Sequence, residues 1–269
     1  MNDNDQKDIS TETPAGDSMP DPVQPPPEAA PPTGPSIGTG AALVGVLASP
    51  RETFMRLAER PTWSALVPFL ILLIMSVTGS WLYMSRADMK EVIRQQIVHG
   101  RAASQLSPAQ IDEYAEKAAA RPAWVYLTLN VVGTTIKFLF LALVFWLVLL
   151  AFGETASYPG TLKAVWWAQV PMILYLAVFM VVIFFKDATA MDPNNPLMTN
   201  LGNLFGRESL GKPLYALLSD LDIVAIWILC LETLGIAAFA RAKVGKVAGV
   251  VFGLYGLYMV GHAGLAAIF

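Results

Sequence analysis

The sequence predicts an all-α polytopic membrane helical bundle: five transmembrane helices, an interfacial N-terminal helix and a disordered N-terminal tail. Hydrophobic residues make up 55% of the 269 residues and charged ones 14%, against about 25% charged in an ordinary soluble domain. Five stretches stay apolar over about 20 residues, enough to cross a ~30 Å hydrocarbon layer at helical rise. Between Met1 and Gly40 the composition is wholly different, rich in Asp, Glu, Ser, Gly and Pro.

That first segment, residues 1–40, carries Pro25, Pro26 and Pro27, then Pro31 and Pro32, and almost no large apolar side chains. It cannot bury enough surface to offset its conformational entropy. No basic start leads into an apolar core, so it does not read as a secretory signal peptide. A solvated tail is the plain reading, and a Pro-rich ligand for a partner domain is the other.

Residues 41–62 read as an interfacial amphipathic helix. Ser49, Pro50 and Glu52 suit an N-cap, a first helical position and a capping box, and Pro61 stops the helix. Phe54 and Leu57 share a face, and Arg51, Arg56 and Arg60 can reach headgroups. Packing of the same helix on the bundle is the alternative.

The transmembrane domain is residues 63–269, with spans at about 63–83, 124–152, 164–185, 223–240 and 247–269. In lipid each must satisfy its own backbone, hence the helix. Trp63, Trp81, Tyr83, Trp124, Tyr126, Trp166 and Trp167 lie near span ends, where amphipathic rings favour the headgroup layer. Pro171 should kink the third span or mark its start after an interfacial turn.

The long connections carry patterns of their own. In the helical loop 85–122, Met89, Ile93 and Ile97 make one helical stripe, and Gly100 can end it. Ser107, Pro108 and Gln110 start a second helix, whose apolar face is Ile111, Tyr114, Ala115 and Ala118. In the third connection Asp192 to Pro196 is a turn sequence. Leu201, Leu204 and Phe205, then Leu214, Leu217 and Leu218, suggest short helices at the interface.

Orientation follows the density of cations near short loops. With five spans, Arg51, Arg56, Arg60, Lys163, Arg241, Lys243 and Lys246 share the N-terminal side. Arg86, Lys90, Arg94, Arg101, Lys117, Arg121, Lys186, Arg207 and Lys212 lie opposite. The tight Arg241, Lys243, Lys246 turn places the N-terminus in the cytoplasm and the C-terminus outside it.

Polar residues inside spans are the candidate functional residues, because an isolated charge at mid-bilayer is costly. Lys137 and Glu232 sit near the middle of parallel spans, so a buried Lys137–Glu232 pair is expected. It reads either as a proton or ion relay or as a device fixing helix register. Asn130 and His262 are the further intramembrane polar residues; a lone histidine there reads as a packing hydrogen bonder, and no metal site is expected. Gly245, Gly249 and Gly253 form a small-residue ridge for helix packing, within the bundle or with another copy.

The remaining composition narrows the classes. Net charge −3 leaves no footprint for nucleic acid. Cys230 alone excludes an internal disulfide and a thiolate zinc cage. No phosphate loop, HExxH motif, Ser-centred elbow or intramembrane acidic pair is present, so neither catalytic residues nor a cofactor is expected.

The segment Ser49, Pro50, Arg51, Glu52, Thr53, Phe54, with Arg60, Pro61, Thr62 and Trp63 after it, resembles the approach to the first span of bacterial members of the Yip family (Ypt/Rab-interacting proteins). Residues 217–227, Leu217 to Trp227, with Gly235 resemble that family's fourth span, and Ala242 to Lys246 its short basic turn. The resemblance runs from Ser49 to the end. It implies five spans, a cytoplasmic N-terminus and, for bacterial members, residence in the cytoplasmic (inner) membrane. Eukaryotic relatives are implied in vesicle trafficking through small GTPases. Their Asp-Leu-Tyr-Gly-Pro motif is missing from Met1–Gly40, so GTPase binding does not carry over. The expected function is a non-enzymatic scaffold or adaptor touching membrane lipids, other membrane proteins or itself. The alternative is a small transporter or channel built on Lys137 and Glu232.

Overall fold

Each apolar stretch becomes a helix, and the connections fold into shorter ones. The computed structural model describes residues 37–98, 100, 105–193, 195–205 and 207–268. The expected disordered tail lies outside these, apart from its last residues, where helix α1 (Thr39–Ala48) already begins. Among the described residues there is no β-strand, only an isolated antiparallel bridge between Asn200 and Asp222.

The expected helix over 41–62 is broken in two. Ser49 leaves helical geometry at φ −144° and ψ 64°, and α2 (Pro50–Ala58) starts behind it. Pro50 takes the first helical position, but the Ser49 side chain makes no capping bond, so the expected capping box does not form. Gly45 lets the two helices touch, since a Cβ there would stand 2.5 Å from Thr53 Oγ1. Phe54 and Leu57 are fully buried against the bundle rather than laid on lipid, while Arg51 is exposed.

Five helical runs are long and apolar enough to cross a membrane: Thr62–Arg86, Ala123–Ala151, Tyr158–Val182, Ile223–Ala240 and Val244–Ile268. The first joins a 3-10 turn (Thr62–Ala65) to α3 (Leu66–Arg86), and the second is α6 (Ala123–Ala151). The third starts six residues earlier than the apolar run at Ala164, because Ser157 accepts from the Gly160 N–H and caps α7 (Tyr158–Trp167). It breaks at Ala168 and Gln169, then resumes as α8 (Val170–Val182). Pro171 has no N–H to return to the preceding turn, and the Gln169 N–H shortens its reach to Trp166 O. The last two are α12 (Ile223–Ala240) and α13 (Val244–Ile268), joined through Arg241 in the left-handed region at φ 52°.

On the side where α3 ends, α4 (Met89–Val98) and α5 (Pro108–Ala119) form the expected helical hairpin. The Ser107–Gln110 capping box is complete. Val92, Ile111 and Ala115 are buried in it, while Tyr114 points outward, contrary to its place in the expected apolar face. The third connection holds α9 (Gly202–Phe205), α10 (Arg207–Leu210) and α11 (Lys212–Asp220). Leu204, Phe205 and Leu214 are exposed there, as interfacial helices require.

The main core lies toward the N-terminal side. Phe54 and Leu57 meet Phe145, Leu149, Val165, Trp167, Leu231 and Ile236 in one cluster. Lipid is as apolar as these side chains, so close van der Waals fit rather than water exclusion selects this arrangement. Gly235 sets the fit: a Cβ there would meet Phe54 Cε1 at 2.9 Å. Trp63, Trp81 and Trp124 are exposed as belt residues should be, but Trp166 and Trp167 are buried in this core and do not belong to the belt. Trp166 instead stacks on Phe69 with ring centroids 4.5 Å apart.

Candidate functional site

The most buried charged side chain among the described residues is Glu232, 1% exposed at the middle of α12. Its Oε1 accepts from Gln169 Nε2 at 3.3 Å, and the same amide donates to Val165 O at 3.3 Å. The side chain of Gln169 thus takes the carbonyl that its own N–H abandons at the α7–α8 break.

Lys137 does not pair with Glu232. It lies on an exposed face of α6, with Nζ 5.6 Å from the Phe138 ring centroid. The physical reason is packing order: α6 and α12 each pack chiefly against α7 rather than against one another. Matching depth along two parallel helices fixed the heights of the charges but not their azimuths.

The buried lysine is Lys163, 3% exposed on α7. Its Nζ donates to Leu57 O and, at 2.5 Å, to Arg60 O, and lies 4.9 Å from the Phe239 ring centroid. It therefore satisfies carbonyls at the C-terminal end of α2, where the helix dipole also favours a cation. Phe239 in turn meets Phe54 edge-on at 6.0 Å.

Asn130 on α6 is bonded to α3. Ser76 Oγ donates to its Oδ1 at 2.9 Å, and its Nδ2 reaches Ser80 Oγ at 3.5 Å. His262 has a partner that sequence reasoning missed: its Nδ1 lies 2.8 Å from Asp220 Oδ2 at the end of α11. Tyr255 donates to the Asp220 carbonyl, and Tyr258 stacks on the imidazole at 5.8 Å. Near by, Asp222 caps α12 by accepting from the N–H groups of Val224 and Ala225 at 2.8 and 3.0 Å.

Apart from the Asp222 cap, these contacts join elements: α3 to α6, the α7–α8 break to α12, α7 to α2, and α11 to α13. Chemically these are ties that set helix register. Among the described residues no three His, Cys, Asp or Glu side chains converge on a point that could hold a metal ion.

The glycine ridge is uncovered. A Cβ on Gly245, Gly249 or Gly253 would meet nothing within 4 Å, and the same holds for Gly256, Gly261 and Gly264. These six glycines of α13 serve no close contact with the described residues. Leu257, Tyr258 and Val260 on the same helix are exposed as well.

Sequence reasoning missed Lys163, Gln169 and Asp220. Pro171, two residues beyond Gln169, was the one available sign that a side chain would be needed at a broken helix.

The sequence model of one protein family, described as the Yip1 domain, matches residues 44–268. No curated protein and no solved structure matches the chain.

Proposed function

The chain belongs to the Yip1 domain family, and on that premise we propose that this integral membrane protein is a non-enzymatic scaffold or adaptor of a bacterial cytoplasmic membrane. Its N-terminus lies in the cytoplasm and its C-terminus outside. The observation that carries the reading is the open glycine face of α13, where nothing stands within 4 Å of an added Cβ at Gly245, Gly249 or Gly253. Small residues let a second helix approach closely in lipid, and the partner is another membrane protein or a second copy. The polar contacts of Glu232, Lys163, Asn130 and His262 tie helices together, which leaves recognition to outer faces. Glu232 bonded to Gln169 instead of Lys137 supports this reading over a small transporter that would run on that pair. GTPase binding is not part of the proposal, since the tail lacks the motif for it.

Crosslinking in native membranes, followed by mass spectrometry, tests the proposal. The full chain should give discrete membrane-protein or self adducts that weaken when Gly249 is replaced by Leu. Absence of any specific adduct from the full chain overturns it. For the orientation, a reporter fused after Phe269 should be active only outside the cytoplasm.

A further inference from the structure

Among the described residues the hairpin of α4 and α5 carries its cations in ion pairs, and the corner that follows α5 does not. Lys90 meets Glu116 at 3.0 Å, Arg94 meets Asp112 at 2.8 Å, and Lys117 meets Glu113 at 2.5 Å. Arg121, at the corner between α5 and α6, has no side-chain partner among the described residues. It lines a cleft of about 220 Å³ together with Trp81, Met84, Met89, Ile93 and Tyr126.

The cleft's height along the bundle is fixed by the spans beside it. The first membrane-crossing run ends at Arg86 and the second begins at Ala123. Trp81 and Trp124 are exposed at that level, as rings in a headgroup layer are. The hydroxyl of Tyr126 donates to Ala118 O at 2.6 Å and fixes the hairpin over the opening. Ala123, the first residue of α6, lies at the rim, and that helix start has no side-chain cap.

We propose that this cleft binds one acidic glycerophospholipid from the leaflet on that side. The phosphodiester sits on Arg121, and the glycerol and first methylenes lie against Trp81, Met84, Met89 and Ile93. A guanidinium fork suits phosphate oxygens, and no described carboxylate pairs with it. The volume suits a headgroup: each water takes about 30 Å³, so the space equals that of several waters. Walls of Trp, Met and Ile gain nothing from a free phosphate but do gain from methylene groups. The proposal requires that the chain span a membrane, and it does not rest on the adaptor reading.

The test uses the full chain in mild detergent, with native mass spectrometry counting retained phosphatidylglycerol or phosphatidylcholine. Wild type should retain one phosphatidylglycerol in preference to phosphatidylcholine. Arg121→Gln should lower that retention about tenfold, as losing a charge-assisted contact does. Lys243→Gln, which removes a cation from the opposite side, should leave it unchanged. Brominated phosphatidylglycerol should quench wild type more than Trp81→Phe. Equal retention of the two lipids, or equal effects of Arg121→Gln and Lys243→Gln, overturns the proposal. So does soluble glycerol 1-phosphate displacing the lipid at equal concentration, which would make the site one for phosphate alone. Size-exclusion profiles of each variant confirm folding; Arg121 holds no side-chain partner among the described residues, so its replacement should leave the bundle intact.

Discussion

Gln169 donates through one amide to both Glu232 Oε1 and Val165 O, each at 3.3 Å. One side chain thereby repairs a broken helix and satisfies a carboxyl that is 1% exposed. Glu232→Gln keeps the size and one acceptor, so thermal unfolding in detergent should change little. Glu232→Ala leaves the Gln169 amide without that partner and opens space, costing about 1–3 kcal/mol. Equal melting temperatures for Glu232→Ala and wild type would show that the contact contributes nothing.

Lys163 holds the C-terminal carbonyls of α2, and its replacement should release that helix. Lys163→Met fills similar volume but takes the side-chain donor from Arg60 O and leaves Leu57 O with backbone donors alone, a loss of about 1–3 kcal/mol. Trypsin should then cut after Arg51 and Arg56 faster than in wild type. Unchanged cleavage rates at both sites would refute the latch.

The hairpin responds to pH by a different route. A hydrogen bond from Lys117 and its charge hold the exposed Glu113 carboxyl below its ordinary range. That contribution is complete above the unfolded carboxylate value and is lost as pH falls through the lowered one. The same kind of contact with Glu116 raises Lys90, so its contribution is complete below the ordinary lysine range and is lost as pH rises through the raised value. Protection of the α5 amides, measured against the intrinsic exchange rate at each pH, should fall on strong acidification, and 1 M salt at neutral pH should reproduce part of the effect by screening. Exchange indifferent to both would remove these pairs from the account.

How much of this was legible follows from what each signal encodes. Span positions came from hydrophobic length alone, since a bilayer fixes length, and the ends at Ile223 and Ala240 agree residue for residue. The Ser107 cap was legible because all its parts lie within four residues. The Lys137–Glu232 pairing failed because height along a helix says nothing of which face a residue occupies. Asp220 and His262 stand 42 positions apart on helices whose packing no local pattern specifies. Ser49 misled because a good capping sequence was spent on a turn between two helices.

Gly235 and Gly249 separate the demands of folding from those of association. At Gly235 a Cβ would stand 2.9 Å from Phe54 Cε1 and 3.2 Å from the Ala164 Cβ, both in the packed core. Gly235→Leu should therefore cost about 1–3 kcal/mol or more through overpacking. It should also lower the yield of monodisperse protein. At Gly249 an added Cβ meets nothing within 4 Å, so Gly249→Leu should leave the melting temperature of the isolated chain near wild type. In membranes the order reverses. Gly249→Leu fills the face through which a second helix would approach, and cysteine crosslinking at Gly245 should fall several-fold. A Gly249→Leu chain that melts normally and crosslinks normally would leave the open ridge with no role in association, and the interaction surface would have to be sought on another face of the bundle.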